Sequence, residues 1–196
     1  MGRGCLAGPV VVTAVILEPG SAIEGINDSK LLTAGARERI MRLILRRAVA
    51  WGIGTSNAGE IDRINILKAT HLAMKRAVEA LVEPPDHLLI DALTIPEIPI
   101  GQTPLIRGDR RSVSIAAASI VAKVVRDRVM ESYDRRYPGY GFASHRGYGT
   151  AEHLEALRTL GPSPIHRRTF KGVWYERMLP FGSGDTPSRK NVLTGS

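Results

Sequence analysis

Apolar positions along this chain change their spacing several times, and each change marks an element. Pro9 to Leu17 is an almost continuous β-branched run closed by the turn residues Glu18-Pro19-Gly20-Ser21, which predicts a strand. After Thr33, a residue suited to cap a helix, Ile40, Leu43, Ile44 and Ala48 recur at helical spacing. A second strand is expected between Ala48 and Thr55. A helical stretch follows from about Glu60 to Leu81, with Leu67, Met74, Val78 and Leu81 on one side. His87 to Ile90 reads as a strand ending on Asp91. The Pro-punctuated stretch Thr94 to Pro104 reads as a loop, and Leu105-Ile106 as a short strand before Asp109.

The longest helix is predicted from about Ser114 to Tyr133, ending before Arg135-Arg136-Tyr137-Pro138. A glycine and aromatic loop, Gly139 to Gly149, leads to Thr150, which caps a helix stopped by Gly161. From Gly182 onward the Gly, Ser, Pro and Thr content lacks any period and predicts a disordered tail over 182–196. Strands and helices alternate, so the predicted class is α/β, with one domain over 1–181.

Composition narrows the function. A chain of 196 residues with 43% hydrophobic content can bury a core. Its formal net charge of +8 and pI near 10.1 favour an anionic partner such as nucleic acid. The single cysteine, Cys5, excludes an internal disulfide framework, suits a reducing compartment and is expected as a small buried residue. No apolar run is long enough for a membrane span, and Met1-Gly2-Arg3-Gly4 has no signal-peptide core, which predicts a cytoplasmic protein with no membrane partner.

Against this basic background two acids stand out. Asp91 lies at the C-terminal end of an apolar strand, where open α/β sheets carry their chemistry, and Asp109 follows in Gly108-Asp109. Read from the residues alone, each acid fits either a turn or a metal site. Hard divalent cations prefer oxygen donors, and two such ions about 4 Å apart can drive phosphodiester cleavage. The segment Gly139 to Thr150 combines glycines, aromatic faces and positive charge, a mixture that suits a nucleic-acid strand as well as a plain surface loop. His166-Arg167-Arg168-Thr169-Phe170-Lys171 would suit phosphates or form a solvated basic face. Gly2-Arg3-Gly4 has the wrong spacing to Gly8 for a dinucleotide loop, and the five histidines show no metal spacing.

Several motifs, in order along nearly the whole chain, resemble ribonuclease HII. They include Gly2-Arg3-Gly4-Cys5-Leu6-Ala7-Gly8-Pro9-Val10, Asn27-Asp28-Ser29-Lys30-Leu31, Leu89-Ile90-Asp91 and Gly108-Asp109. Ser114-Ile115-Ala116-Ala117-Ala118-Ser119, His145-Arg146-Gly147-Tyr148-Gly149-Thr150 and Ser163-Pro164-Ile165-His166-Arg167-Arg168-Thr169-Phe170 continue the match. The resemblance implies a ribonuclease H-like mixed sheet flanked by helices, with C-terminal helical elements. It further implies a Mg²⁺- or Mn²⁺-dependent endonuclease acting on RNA–DNA hybrids and on single ribonucleotides in duplex DNA, in DNA replication and repair. Asp91 and Asp109 would be metal ligands. Gly2, Arg3, Gly4 and Tyr148 would read the ribose 2′-hydroxyl, the group that separates RNA from DNA. Ser29, Lys30 and the serines near Ser114 would touch phosphates.

The family pattern also carries an adjacent Asp-Glu on a strand immediately before the position of Met1, so two of its four acids have no counterpart here. Glu18, Glu24, Asp28 and Asp127 are poorly placed to substitute, Asp127 being expected to form a salt bridge or cap within its helix. Two expectations follow: an upstream strand ending in Asp-Glu belongs to the protein, or the product is a catalytically impaired hybrid-binding protein. A protein with no nucleic-acid role is a further alternative.

Overall fold

A computed structural model describes residues 1–21, 23–26, 33–96 and 98–173. The predicted tail, like Asp28, Ser29 and Lys30, lies outside them.

Strand β1 (Val10–Leu17) pairs antiparallel with β2 (Ala48–Ser56), in a register that sets Val10 opposite Ser56 and Ala14 opposite Gly52. Between them runs α1 (Ala34–Arg47), capped by Thr33, whose hydroxyl accepts from the amide of Ala36 at 3.2 Å. The helix passes directly into β2 at Ala48, so that residue opens a strand and is not part of the helical stripe.

Helix α2 (Ala58–Glu79) starts at a capping box: Asn57 accepts from the Glu60 amide and Glu60 from the Asn57 amide, both at 2.9 Å. The helix is broken at Asn65, whose φ of 67° lies in the left-handed region. Its side-chain oxygen accepts from the amides of Leu67 and Lys68, so Asn65 caps the second half. This break corrects the single helical stripe read from the sequence. Leu67 falls in the first turn after the break and is exposed, whereas Met74 and Val78 pack against Leu88, Ile90 and Ile95. The tightly packed face is small: Ala69, Ala73 and Ala77. Gly52 and Gly54 of β2 make that closeness feasible, since a β-carbon at Gly54 would stand 1.9 Å from the carbonyl oxygen of Ala73.

β3 (His87–Asp91) pairs parallel with β4 (Gly101–Leu105). The second strand thus begins inside the predicted loop, and Leu105 ends it. Pro104 is accommodated because, among the described residues, β4 pairs with β3 alone and needs no amide donor on its other side. The longest helix, α3 (Val113–Arg136), is capped by Ser112 and packs Ala117, Ile120, Val121 and Val124 against Ile40, Met41 and Ile44 of α1. One turn, α4 (Phe142–His145), lies inside the predicted glycine and aromatic loop. The helix α5 (Ala151–Leu160) is capped by Thr150 and stopped at Gly161, as read from the sequence.

Among the described residues the strands form two ladders, one antiparallel and one parallel. A groove of about 580 Å³ lies between them, walled by β1 and β3 and floored by residues such as Thr70, Ala77, Ile115 and Ala122. Thr13 Oγ1 is buried in the β1 wall with no hydrogen-bond partner among the described residues. At the mouth of the groove Met1 and Val11 exchange both backbone hydrogen bonds (2.7 and 3.1 Å), a rung of antiparallel pairing.

Candidate active site and nucleic-acid interface

The end of β3 and the start of α3 bring the two singled-out acids into one neighbourhood. Asp91 Oδ1 accepts from the amide of Gly108 at 3.0 Å, which ties the strand end to the 3₁₀ turn Gly108–Arg110 that carries Asp109. Asp91 is exposed and Asp109 half-buried. Ala92 and Arg107, on either side of this junction, both sit at left-handed backbone angles, with φ of 61° and 55°. A non-glycine residue held there costs roughly 1–2 kcal/mol, and such strain concentrates where geometry matters more than stability. Asp91, Ser114 and Ser119 open on the same groove as Met1 and Arg3.

The second cluster gathers around Gly2, Arg3, Gly4 and Tyr148. The amides of Leu6 and Ala7 donate to the carbonyl of Gly147 at 2.8 and 3.3 Å, the amide of Gly8 to Ile165, and the amide of Arg167 to Leu6. The N-terminal segment is therefore laid between the two C-terminal loops. Gly147, at φ 82°, has no room for a side chain: a β-carbon there would lie 2.5 Å from the Ala7 carbonyl oxygen. Cys5 is fully buried beside Tyr148. Burial, then the Cys5 thiol, pushes the Tyr148 phenol above its ordinary range. The residue is nonetheless 44% exposed, and Arg3 and Gly4 are exposed with it.

The glycine and aromatic segment divides between core and surface. Tyr140 and Phe142 stack on each other at 5.1 Å and are buried, with the Tyr140 hydroxyl donating to the Gly161 carbonyl at 2.6 Å. They are therefore closed to base stacking, and Tyr148 is the exposed ring of the segment. The basic run is corrected in the same way. His166 and Arg167 face inward, 2% and 0% exposed, while Arg168 and Lys171 stay at the surface.

Three of the histidines are buried and hydrogen-bonded. The amide of Ser163 donates to His166 Nδ1 at 2.9 Å, so that nitrogen is unprotonated and the ring carries its proton on Nε2. His166 Nε2–H then faces His153 Nε2 at 2.9 Å, which places the His153 proton on Nδ1, aimed at the Tyr148 carbonyl at 2.8 Å. Burial is the main cause that lowers both imidazoles, His166 to about 4. Asp127 pairs with Lys123 at 2.8 Å one turn away, as expected for a salt bridge within its helix.

Read for a metal ion, Asp91 and Asp109 are the hard oxygen donors that Mg²⁺ or Mn²⁺ prefers. Their number is the difficulty: among the described residues no group of three or more His, Cys, Asp or Glu side chains comes together to hold an ion. The donor chemistry fits, but the described donor set does not build a two-ion centre.

A family model for ribonuclease HII matches residues 1–173. The chain belongs to the ribonuclease HII family. It is 55% identical over 172 residues to a ribonuclease HII of Geobacter sulfurreducens, covering 88% of this chain and 79% of that relative. The ribonuclease HII of Clostridioides difficile is 54% identical over 169 residues, with 86% and 66% covered. Among solved structures, ribonuclease H2 from Pyrococcus horikoshii superposes with a TM-score of 0.70 at 27% identity, covering 88% of this chain and 92% of that one. Bst ribonuclease HIII, solved in complex with Mn²⁺, shares the fold at a TM-score of 0.71 and 21% identity, covering 88% and 65%. The α/β, ribonuclease H-like class is therefore the fold of this ribonuclease HII family member, and its relatives are endoribonucleases.

Sequence reasoning gave Arg126 and His153 no role and placed His166 and Arg167 at a phosphate or in solvent, whereas all four are buried. For Arg126 a signal was present: it stands four residues from both Ala122 and Met130, so a charge interrupts the buried stripe of α3.

Proposed function

We propose that this chain recognises RNA–DNA hybrids and DNA duplexes containing single ribonucleotides, and that its catalytic form hydrolyses the phosphodiester 5′ to a ribonucleotide with Mg²⁺ or Mn²⁺. The observation that carries the reading is the shared groove: Arg3 of the Gly2-Arg3-Gly4 segment and Asp91 open on it together. The exposed Tyr148 phenol and the amides near Gly2, Arg3 and Gly4 would meet the 2′-hydroxyl. Arg3, Ser114 and the net charge of +8 would hold phosphates, as would Ser29 and Lys30 outside the described residues. Asp91 and Asp109 would contribute carboxylates to the metal, which would supply Lewis acidity and an activated water. The place of action would be cytoplasmic, in the removal of ribonucleotides during DNA replication and repair.

A second reading, binding of hybrids without cleavage, draws on the fact that among the described residues no group of three or more His, Cys, Asp or Glu side chains comes together to hold an ion. The deciding experiment offers a DNA duplex with one ribonucleotide to the 196-residue chain, and to the same chain preceded by a strand ending in Asp-Glu, in Mg²⁺ and then Mn²⁺. Cleavage on the 5′ side, lost in Asp91→Asn, supports the endonuclease. Salt-sensitive binding without cleavage by either form supports the second reading. Failure of both forms to bind the duplex at moderate salt rejects both.

A further inference from the structure

Two arginines are sealed inside the protein with no carboxylate paired to them among the described residues. Arg126 on α3 is 2% exposed and Arg167 0%. Burying a guanidinium is unfavourable unless its donors are satisfied, and burial is the largest cause that brings Arg167 down to about 10. Satisfaction comes from the backbone. Arg126 donates from Nε to the Pro9 carbonyl (3.1 Å), from Nη2 to Ala7 (3.3 Å) and from Nη1 to Arg146 (2.9 Å). Arg167 donates from Nη2 to Gly2 (2.6 Å), from Nη1 to Arg3 (2.7 Å), and from Nε and Nη2 to Gly8 (3.1 and 2.9 Å).

These acceptors belong to the segment Gly2 to Pro9 and to the residue that leads into Gly147-Tyr148. A planar fork of five donors can hold several carbonyls at set angles, which a single ammonium cannot. In a trans peptide the carbonyl of one residue and the amide of the next point in opposite directions. Drawing the carbonyls of Gly2 and Arg3 onto Arg167 therefore turns the amides of Arg3 and Gly4 away from the guanidinium. Gly2, at φ 85°, lies so close that a β-carbon would stand 2.1 Å from Arg126 Nε.

We propose that Arg126 and Arg167 are positioning residues for ribonucleotide recognition, holding the carbonyls of the Gly2 to Pro9 segment inward so that the amides of Arg3 and Gly4 present themselves to the ribose 2′-oxygen. The inference rests on the reading that Gly2, Arg3, Gly4 and Tyr148 recognise that hydroxyl.

The test is a ratio of affinities, read by fluorescence anisotropy without divalent metal. One duplex is DNA with a single ribonucleotide, and the other is the same sequence in DNA alone. Arg167→Lys keeps the charge and loses the fork. General loosening of the fold would weaken both affinities together, so the ratio isolates recognition of the 2′-hydroxyl. The expected result is a ratio within about twofold of one for Arg167→Lys, with clear preference for the ribonucleotide in the unaltered chain. A folded Arg167→Lys that keeps the original ratio overturns the proposal. Should that variant fail to fold, Gly2→Ala decides with both arginines in place, because its β-carbon pushes the segment off Arg126: a lost ratio supports the clamp, an unchanged ratio overturns it. A ratio of one in the unaltered chain rejects the recognition reading, and the clamp with it, before any variant is compared.

Discussion

His166 donates through Nε2–H to Nε2 of His153 across 2.9 Å, and His153 Nδ1–H in turn holds the Tyr148 carbonyl. Each ring must be neutral for this chain of bonds to close, because a proton on the acceptor nitrogen of either one sets donor against donor. The exposed phenol of Tyr148 thus sits on a backbone whose anchor is a buried, uncharged pair.

A pH dependence follows. Both imidazoles are lowered in the folded protein, His166 from its usual 6.5 to about 4, so the unfolded chain binds protons first. The stabilisation is fully present above about pH 6.5 and is lost as pH falls toward 4, amounting to on the order of 3 kcal/mol for His166. Melting temperature should therefore fall between pH 7 and 4, and the fall should shrink in His166→Gln. An equal fall in that variant would assign the acid sensitivity elsewhere.

Asp91→Asn should separate architecture from chemistry. The side-chain amide keeps an oxygen that can accept from the Gly108 amide, so the strand end and the turn stay joined. Melting temperature should change by less than about 2 °C, while any Mn²⁺-induced stabilisation seen in the parent chain disappears. A variant that keeps the full Mn²⁺ effect would place the ion away from Asp91.

Gly54→Ala tests the packing of α2 on β2. Its β-carbon would meet the Ala73 carbonyl oxygen at 1.9 Å; the oxygen belongs to helix backbone and the β-carbon is fixed to the strand's α-carbon, so neither can swing aside. A loss of about 3 kcal/mol or more in urea unfolding is expected, at the upper end of overpacking effects. The same change at Gly35, where nothing lies within 4 Å, should cost nothing measurable.

The start of α2 can be weighed separately. Asn57→Ala removes the acceptor for the Glu60 amide and should cost about 1 kcal/mol. Glu60 also pairs with Arg76, with both carboxylate oxygens engaged at 3.1 and 2.7 Å. A double substitution with Arg76→Ala should therefore be non-additive in chemical denaturation, since both changes act on Glu60, one at its backbone amide and the other at its carboxylate.

Caps and turns were readable because they depend on neighbours within a few residues. Thr33 and Thr150 each announce a helix by accepting an amide three positions ahead, and Gly161 stops α5. Asp91 showed itself by ending an apolar strand in a basic chain. Asn65 was harder: its capping of Leu67 and Lys68 is local, but it lies inside an apolar repeat that continues across it. β4 was obscured by Pro104, whose place depends on pairing with β3 rather than on its own sequence.

Family membership, the α/β alternation and the place of Asp91 at a strand end are thus properties of the linear chain, since local propensity and ordered motifs encode them. The inward turn of Arg167, the burial of Tyr140 and Phe142, and the junction of the Gly2 segment with Tyr148 are decided by the tertiary fold. Arg126 finds Pro9 at a separation of 117 residues and Arg167 finds Gly2 at 165. No local pattern distinguishes an arginine that meets phosphate from one that meets a distant carbonyl. The difference is whether packing leaves its donors water or backbone as partners, and that is settled only when the Gly2 to Pro9 segment meets α3 and Arg167.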